Sequence, residues 1–315
     1  MFPARSLRRG VVLGMAVTAS LALAACGSSS PSKNPLSGGS SAGKIVIGSA
    51  NFPEDELLAE IYSLALTAKG VKVTDKFNIG AREVYYPQVK KGAVTIVPEY
   101  NGTLLTVEVD KTSTAATTSQ VDAALKADLP STMEVLNPST AQDSDSVTVT
   151  QAFATAHHLT SSSSIGDLKP FAASMVFGGP SELQTRSDGL AGFKKDYGLT
   201  FKGFDALDES GPITLKALTT GKVQAADVFS TTPQIITDHL VSLADPKFNF
   251  AAQNVIPLVY KKAMTPTIIS TLNAISAKLN TAGLLAMDKA IGVDHDSYPA
   301  VAAGWLKTEG LPGGS

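Results

Sequence analysis

Short apolar runs that end on glycine alternate along this chain with longer stretches in which apolar residues return every three or four positions. Lys44-Ile45-Val46-Ile47-Gly48 predicts a strand. Pro53 and the acids Glu54, Asp55 and Glu56 predict a helix start, because Pro suits the first turn and acids there complement the helix dipole. Leu57, Leu58, Ile61, Leu64 and Ala65 give that helix one apolar face, and Gly70 ends it. Residues 71–77 alternate as a strand, 82–91 read as a second helix, and 95–97 as a third strand. Strand and helix in turn, with short joins, predict a parallel sheet covered by helices. After Pro138 the pattern restarts, with strands over 147–150, 174–177 and 223–229 and helices over 190–197 and 213–220. The tail, 266–305, is mostly helical: Ile268, Leu272, Ile275 and Leu279 keep helical spacing, and 284–291 and 298–306 follow. No short repeat occurs, which excludes solenoids and propellers. Two α/β lobes with a ligand cleft between them are the expected assembly.

The first 43 residues read differently. Arg5, Arg8 and Arg9 precede an uncharged apolar run over 11–25 that is shorter than the ~20 residues a spanning helix needs. A charged start, a short apolar centre and small residues after it describe an export signal over 1–25. The one cysteine of the chain falls at its end, in Leu23-Ala24-Ala25-Cys26, a bacterial lipobox pattern in which Cys26 would carry the lipid anchor. General secretion suits the flanking residues better than the twin-arginine route. Of the 17 residues 27–43, 13 are Ser, Gly or Pro, so 26–43 reads as the lipidated cysteine and a flexible tether. Its reach is roughly 20–25 Å. Gly38…Gly43-Lys44 half matches a phosphate loop. Ile45 replaces the required hydroxyl, and the glycines precede a strand instead of following one, so this is linker composition.

Composition narrows the functional classes. The 315 residues are 43% hydrophobic and 17% charged, enough apolar material for packed cores. Lys+Arg 26 against Asp+Glu 28 gives net −2, and the export segment removes three arginines and no acid. No basic field is available for nucleic acid. One cysteine excludes a disulfide framework and multi-cysteine zinc sites. His157 and His158 are neighbours on a short helix and point about 100° apart, so they do not share a metal-binding face. There is no nucleophile elbow, 161–164 is a serine-rich loop, and Glu54 with Glu56 is a helix start before it is an acid–base pair. Neither a catalytic constellation, a cofactor nor a metal is expected, and binding is favoured over catalysis. Two stretches look ligand-facing: 48–53, where the first strand runs into a helix N-terminus, and 98–103 after the third strand.

Those stretches carry a resemblance. Ile47-Gly48-Ser49-Ala50-Asn51-Phe52-Pro53-Glu54, Gly80-Ala81-Arg82-Glu83 and Val97-Pro98-Glu99-Tyr100-Asn101-Gly102 resemble the solute-binding lipoproteins of osmoprotectant ABC importers. So do the run from Gly179 to Gly189 and Val228-Phe229-Ser230-Thr231-Thr232. The likeness runs in order from about residue 44 to 306. It implies a two-lobed periplasmic-binding-protein fold of the class II type, with lobe 1 from 44–142 plus 247–315 and lobe 2 from 143–246. It also implies a monomeric receptor that binds glycine betaine, choline, carnitine or a related solute and hands it to a permease and its ATPase. The protein would sit on the extracytoplasmic face of the membrane, held by its lipid. In such proteins a box of aromatic faces satisfies the quaternary ammonium by cation–π attraction. By this resemblance the ligand-binding positions are Asn51, Phe52, Tyr100, Asn101, Ser146, Leu190, Phe229, Ser230, Thr231 and Thr232. Ser146 and Leu190 stand where tyrosines are common, Phe229 where Tyr is usual, and Thr232 where Asp is common. The box is thereby depleted unless Phe52, Tyr85 or Tyr86 makes it up, and a different polar or larger, partly apolar solute is the alternative. Two further readings are a lipoprotein that senses or scavenges without transport, and an exported enzyme on the same scaffold.

Overall fold

A computed structural model describes residues 44–314. The signal, Cys26 and the tether lie outside the described residues. The first sheet has the order β2 (Val73–Lys76), β1 (Ile45–Gly48), β3 (Ile96–Tyr100), β10 (Val255–Tyr260), β4 (Met133–Val135). The second has the order β7 (Gly203–Ala206), β6 (Val176–Gly179), β8 (Ala225–Asp227), β5 (Val147–Thr150), β9 (Leu240–Ser242). The two orders are equivalent. In each sheet three parallel strands are followed by one reversed strand, β10 or β5, and then by an edge strand. The sheets are therefore mixed, where the βα alternation predicts parallel ones. The reversed strand in each is the one that enters from the other sheet, so no helical crossover sets its direction.

Each sheet has its own core. Ile47, Leu57, Leu58, Ile61, Tyr62 and Ile96 are fully buried in the first, where the helix α1 (Pro53–Ala68) lays its apolar stripe on β1 and β3. Phe177 centres the second, with the rings of Phe193 and Phe201 at 5.2 and 5.0 Å. The C-terminal helices Pro266–Lys278, Thr281–Gly292 and Tyr298–Thr308 return to pack against α1, so the tail belongs to the first lobe. Among the described residues no helix is long and apolar enough to cross a membrane.

The chain passes between the sheets after β4 and again after β9, and the two crossings touch at a bridge between Gln142 and Asn254. Asp143 N–H donates to the Gln253 carbonyl at 3.2 Å, and Asn254 N–H to Asn101 Oδ1 at 2.8 Å. Gly102 lets this pairing close. A Cβ there would lie 2.4 Å from the Ala252 carbonyl oxygen.

Candidate functional site

Strand β3 and helix α1 bring the first lobe's side chains to the cleft. Tyr100 ends β3, and Phe52 caps the N-terminal end of α1. The expected 98–103 loop is in fact strand as far as Tyr100, which fixes that ring on a buried, hydrogen-bonded backbone. From the second lobe, the turn after β8 brings Phe229 across to pack on the first lobe's core. The Phe52 ring lies 5.9 Å from Tyr100 and 5.2 Å, edge to face, from Phe229. Three aromatic faces therefore converge between the lobes.

Acidic groups line the same space. The Tyr100 hydroxyl donates to Glu54, and Thr231 Oγ1 donates to the other Glu54 oxygen at 2.7 Å. Asp143, on the hinge, accepts from Thr231 N–H at 3.0 Å and Ser230 Oγ at 3.1 Å. Burial, followed by repulsion from Asp288, holds the Glu54 carboxyl well above the usual range; burial and then Glu54 do the same to Asp143. Burial likewise pushes Glu209 up to about 7.

Two arginines face this space, and both are engaged. Arg82 forks onto Glu99 at 2.8 and 3.0 Å, and Glu99 also accepts from Tyr85 Oη at 2.6 Å and Tyr100 N–H at 2.7 Å. Arg186 forks across the cleft onto Glu83 at 3.0 Å twice. The cavity they line, about 360 Å³ counting space open to solvent, also has walls from Phe52, Tyr100, Asp143, Asp145 and Phe229. A second chamber of about 540 Å³, counted the same way, adjoins it and shares Phe52, Glu209 and Phe229.

The ten sequence-predicted positions divide. Phe52, Tyr100 and Phe229 meet in the cleft, Thr231 and Thr232 line the second chamber, and Ser230 holds Asp143. Four lie elsewhere. Asn51 is exposed and lines neither chamber. Asn101 is fully buried, its amide spent on Asp122 at 2.9 Å and on the hinge. Ser146 Oγ donates to the Val228 carbonyl at 2.6 Å, just beyond the ends of β5 and β8, and lines neither chamber. Leu190 packs on the second core beside Phe201 and Phe204, in a separate groove. Of the rings proposed to make up the box, Tyr85 is spent on Glu99 and Tyr86 lines a groove elsewhere on lobe 1. Sequence reasoning missed Asp143, Asp145, Arg186, Glu209 and Asp288. Asp288 did carry a signal: it is the lone acid on an apolar helical stripe with Leu284, Met287 and Ile291.

Solved structures share the fold. A crystal structure of a glycine betaine/carnitine/choline ABC transporter protein superposes with a TM-score of 0.65 at 20% identity, covering 85% of this chain and 99% of that one. An ABC-transporter choline binding protein in complex with choline gives 0.60 at 14%, covering 85% and 89%. Lactococcal OpuAC, closed and complexed with glycine betaine, gives 0.57 at 17%, covering 85% and 96%. The two-lobed periplasmic-binding-protein fold is thus established, with strand order and cleft as its own geometry requires. The model of one family matches residues 43–308, nearly all of the described chain, and by that match the protein belongs to the substrate-binding domains of ABC-type glycine betaine transport systems.

Proposed function

We propose that this protein captures a small quaternary-ammonium osmoprotectant, of the glycine betaine, choline or carnitine type, in the cleft and delivers it to an ABC permease. The observation that carries the reading is the convergence of Phe52, Tyr100 and Phe229 beside Asp143. A quaternary ammonium has no N–H to donate. Ring faces and nearby carboxylates are the groups that stabilise it in a site shielded from water. Arg82 and Arg186, each with N–H groups beyond its carboxylate partner, suit the carboxylate of betaine or carnitine. Export through residues 1–25, a lipid on Cys26 and a tether over 27–43 complete the reading, with the lobes divided near 142/143 and, because Phe250 packs on Phe193 in the second core, near 251–254 instead of 246/247. The ligand closes the lobes by a hinge, and the permease reads the closed form.

Titration calorimetry of the mature protein with glycine betaine, choline and carnitine tests it. At least one should bind, and Phe229→Ala should weaken that binding by tenfold or more. Failure of all three to bind would sink the reading. Cys26→Ala should release the protein from membranes without altering ligand affinity.

A further inference from the structure

The second chamber differs in chemistry from the cleft it adjoins. Phe52, Phe229, Leu215, Ile291, Pro212 and Pro233 make its walls. Three carboxyl groups, Glu54, Glu209 and Asp288, line it, and no lysine, arginine or histidine does. Asp288, on the helix Thr281–Gly292, is only 6% exposed, and the polar groups in its reach are the Glu54 carboxyl and the Thr231 hydroxyl, neither of them a cationic donor. One oxygen of Glu209 is without a partner. The groups facing Asp288 are Glu54 from α1, Asp143 from the hinge and the Thr231 hydroxyl from the second lobe. Every charged neighbour is thus acidic. Burial, with Asp143 behind it, pushes Asp288 up to about 7. A buried carboxylate without a donor is costly, and a donor bearing positive charge relieves it most. A quaternary ammonium brings no N–H, whereas a protonated primary amine brings three. Among the described residues no three carboxyl or imidazole groups are placed to ligate one metal ion, and the rest of the wall is hydrocarbon.

We propose that the chamber is a second cation site, which takes a protonated amine on a short hydrocarbon chain, its N–H groups donating to Asp288 and its chain lying along Leu215, Ile291 and Phe229. The inference rests on the reading of the protein as an ammonium-solute receptor, and it extends the ligand range to cations with no carboxylate. The mixed-charge cleft suits a zwitterion; the chamber beside it does not.

The test is calorimetry on the mature protein at pH 8 with three probes: n-hexylammonium, hexanoate and glycine betaine. Hexylammonium should bind and hexanoate should not. Ile291→Trp, which fills the chamber, should weaken hexylammonium by tenfold or more while glycine betaine stays within threefold, and Asp288→Asn should weaken hexylammonium by tenfold or more. Thermal melting checks folding, and Asp288→Asn should melt no lower than the parent, since it removes an acid without a cationic partner. Hexylammonium binding that neither variant weakens would overturn the chamber assignment, as would equal losses for both ligands in Ile291→Trp. A protein that binds glycine betaine but not hexylammonium overturns this inference and leaves the osmoprotectant reading standing. A protein that binds neither removes both.

Discussion

Thr231 donates its hydroxyl to Glu54 across the cleft at 2.7 Å, while its own N–H donates to the hinge carboxyl of Asp143 at 3.0 Å. One residue of the second lobe thus ties the first lobe's helix α1 to the crossing segment about which the lobes must turn. In the proposed reading the ligand lies beside these groups, so ligand contact and the contact between the lobes share them. Thr231→Val keeps the shape and removes the hydroxyl. A hydrogen bond of this kind contributes ~0.5–1.5 kcal/mol, so ligand affinity should fall by roughly three- to tenfold. Small-angle scattering should show a larger radius of gyration for the variant at subsaturating ligand; an unchanged profile and affinity would mean that closure does not depend on this bond.

Much of this arrangement is written in the pattern of the chain, and the missing parts have identifiable causes. The first two helices and strands β1, β3, β5 and β6 follow from periodicity and glycine ends, because local burial and local sequence agree there. Strand β10 was hidden by Pro257, and β3 was cut short at Pro98, since proline within a run argues against a strand. The two prolines stand opposite each other in the antiparallel pair. Phe52, Tyr100 and Phe229 were legible because each closes a strand or opens a helix. Ser146 and Leu190 line neither chamber, because a position along the chain does not set which way its side chain turns. Leu190 lines a groove away from the cleft, so Leu190→Tyr should bring no gain in betaine affinity. The acids of the cleft come from segments far apart in sequence, 54, 143, 209 and 288, and only folding puts them together.

The Arg186–Glu83 pair is a second tie between the lobes, and it is of a different kind. Its geometry is bidentate at 3.0 Å, and although the Arg186 side chain is only 8% exposed, the Glu83 side chain is 40% exposed, so solvent reaches the pair from that side. Solvent screening limits such a pair to ~0–1 kcal/mol. Glu83→Gln should therefore leave the melting temperature nearly unchanged and speed ligand release by about two- to fivefold. The difference should shrink in high salt. Stopped-flow release kinetics at two salt concentrations would show it, and a salt-independent effect would argue against an ionic latch.

Glu99 makes the opposite prediction. It is fully buried, and four donors from Arg82, Tyr85 and the Tyr100 backbone fill its oxygens. Removing one member of a buried pair leaves the other charge uncompensated, at a cost of about 3–5 kcal/mol. Glu99→Ala should lower the denaturant midpoint sharply, while Tyr85→Phe, which removes one neutral donor, should cost about 1 kcal/mol. Equal and small effects from the two would mean that water reaches Arg82 in the native state.

Stability should also depend on pH with a sign opposite to that of most acid-rich proteins. Burial raises Asp288 and Glu209 to about 7 and Asp188 to about 6. In the unfolded chain these groups titrate near their ordinary values, about 4. Between those limits the folded protein binds more protons than the unfolded one, so unfolding free energy falls as pH rises. Their contribution is complete below about pH 4 and is lost as pH climbs through 6 to 7. Acids with ordinary affinities are already ionised in both states above pH 5, so they do not mask the trend. Each raised group changes stability by at most ~1.4 kcal/mol per pH unit within its window. The ligand-free protein should then melt roughly 5 °C or more lower at pH 8 than at pH 5. Asp288→Asn should flatten the slope, because one of the titrating groups is gone. A saturating cationic ligand should flatten it further by giving the ionised carboxylates a partner. A melting temperature that rises from pH 5 to pH 8 in the ligand-free protein would show that these carboxyl groups are hydrated and ionised in the native state, and that the cleft is open to water when empty.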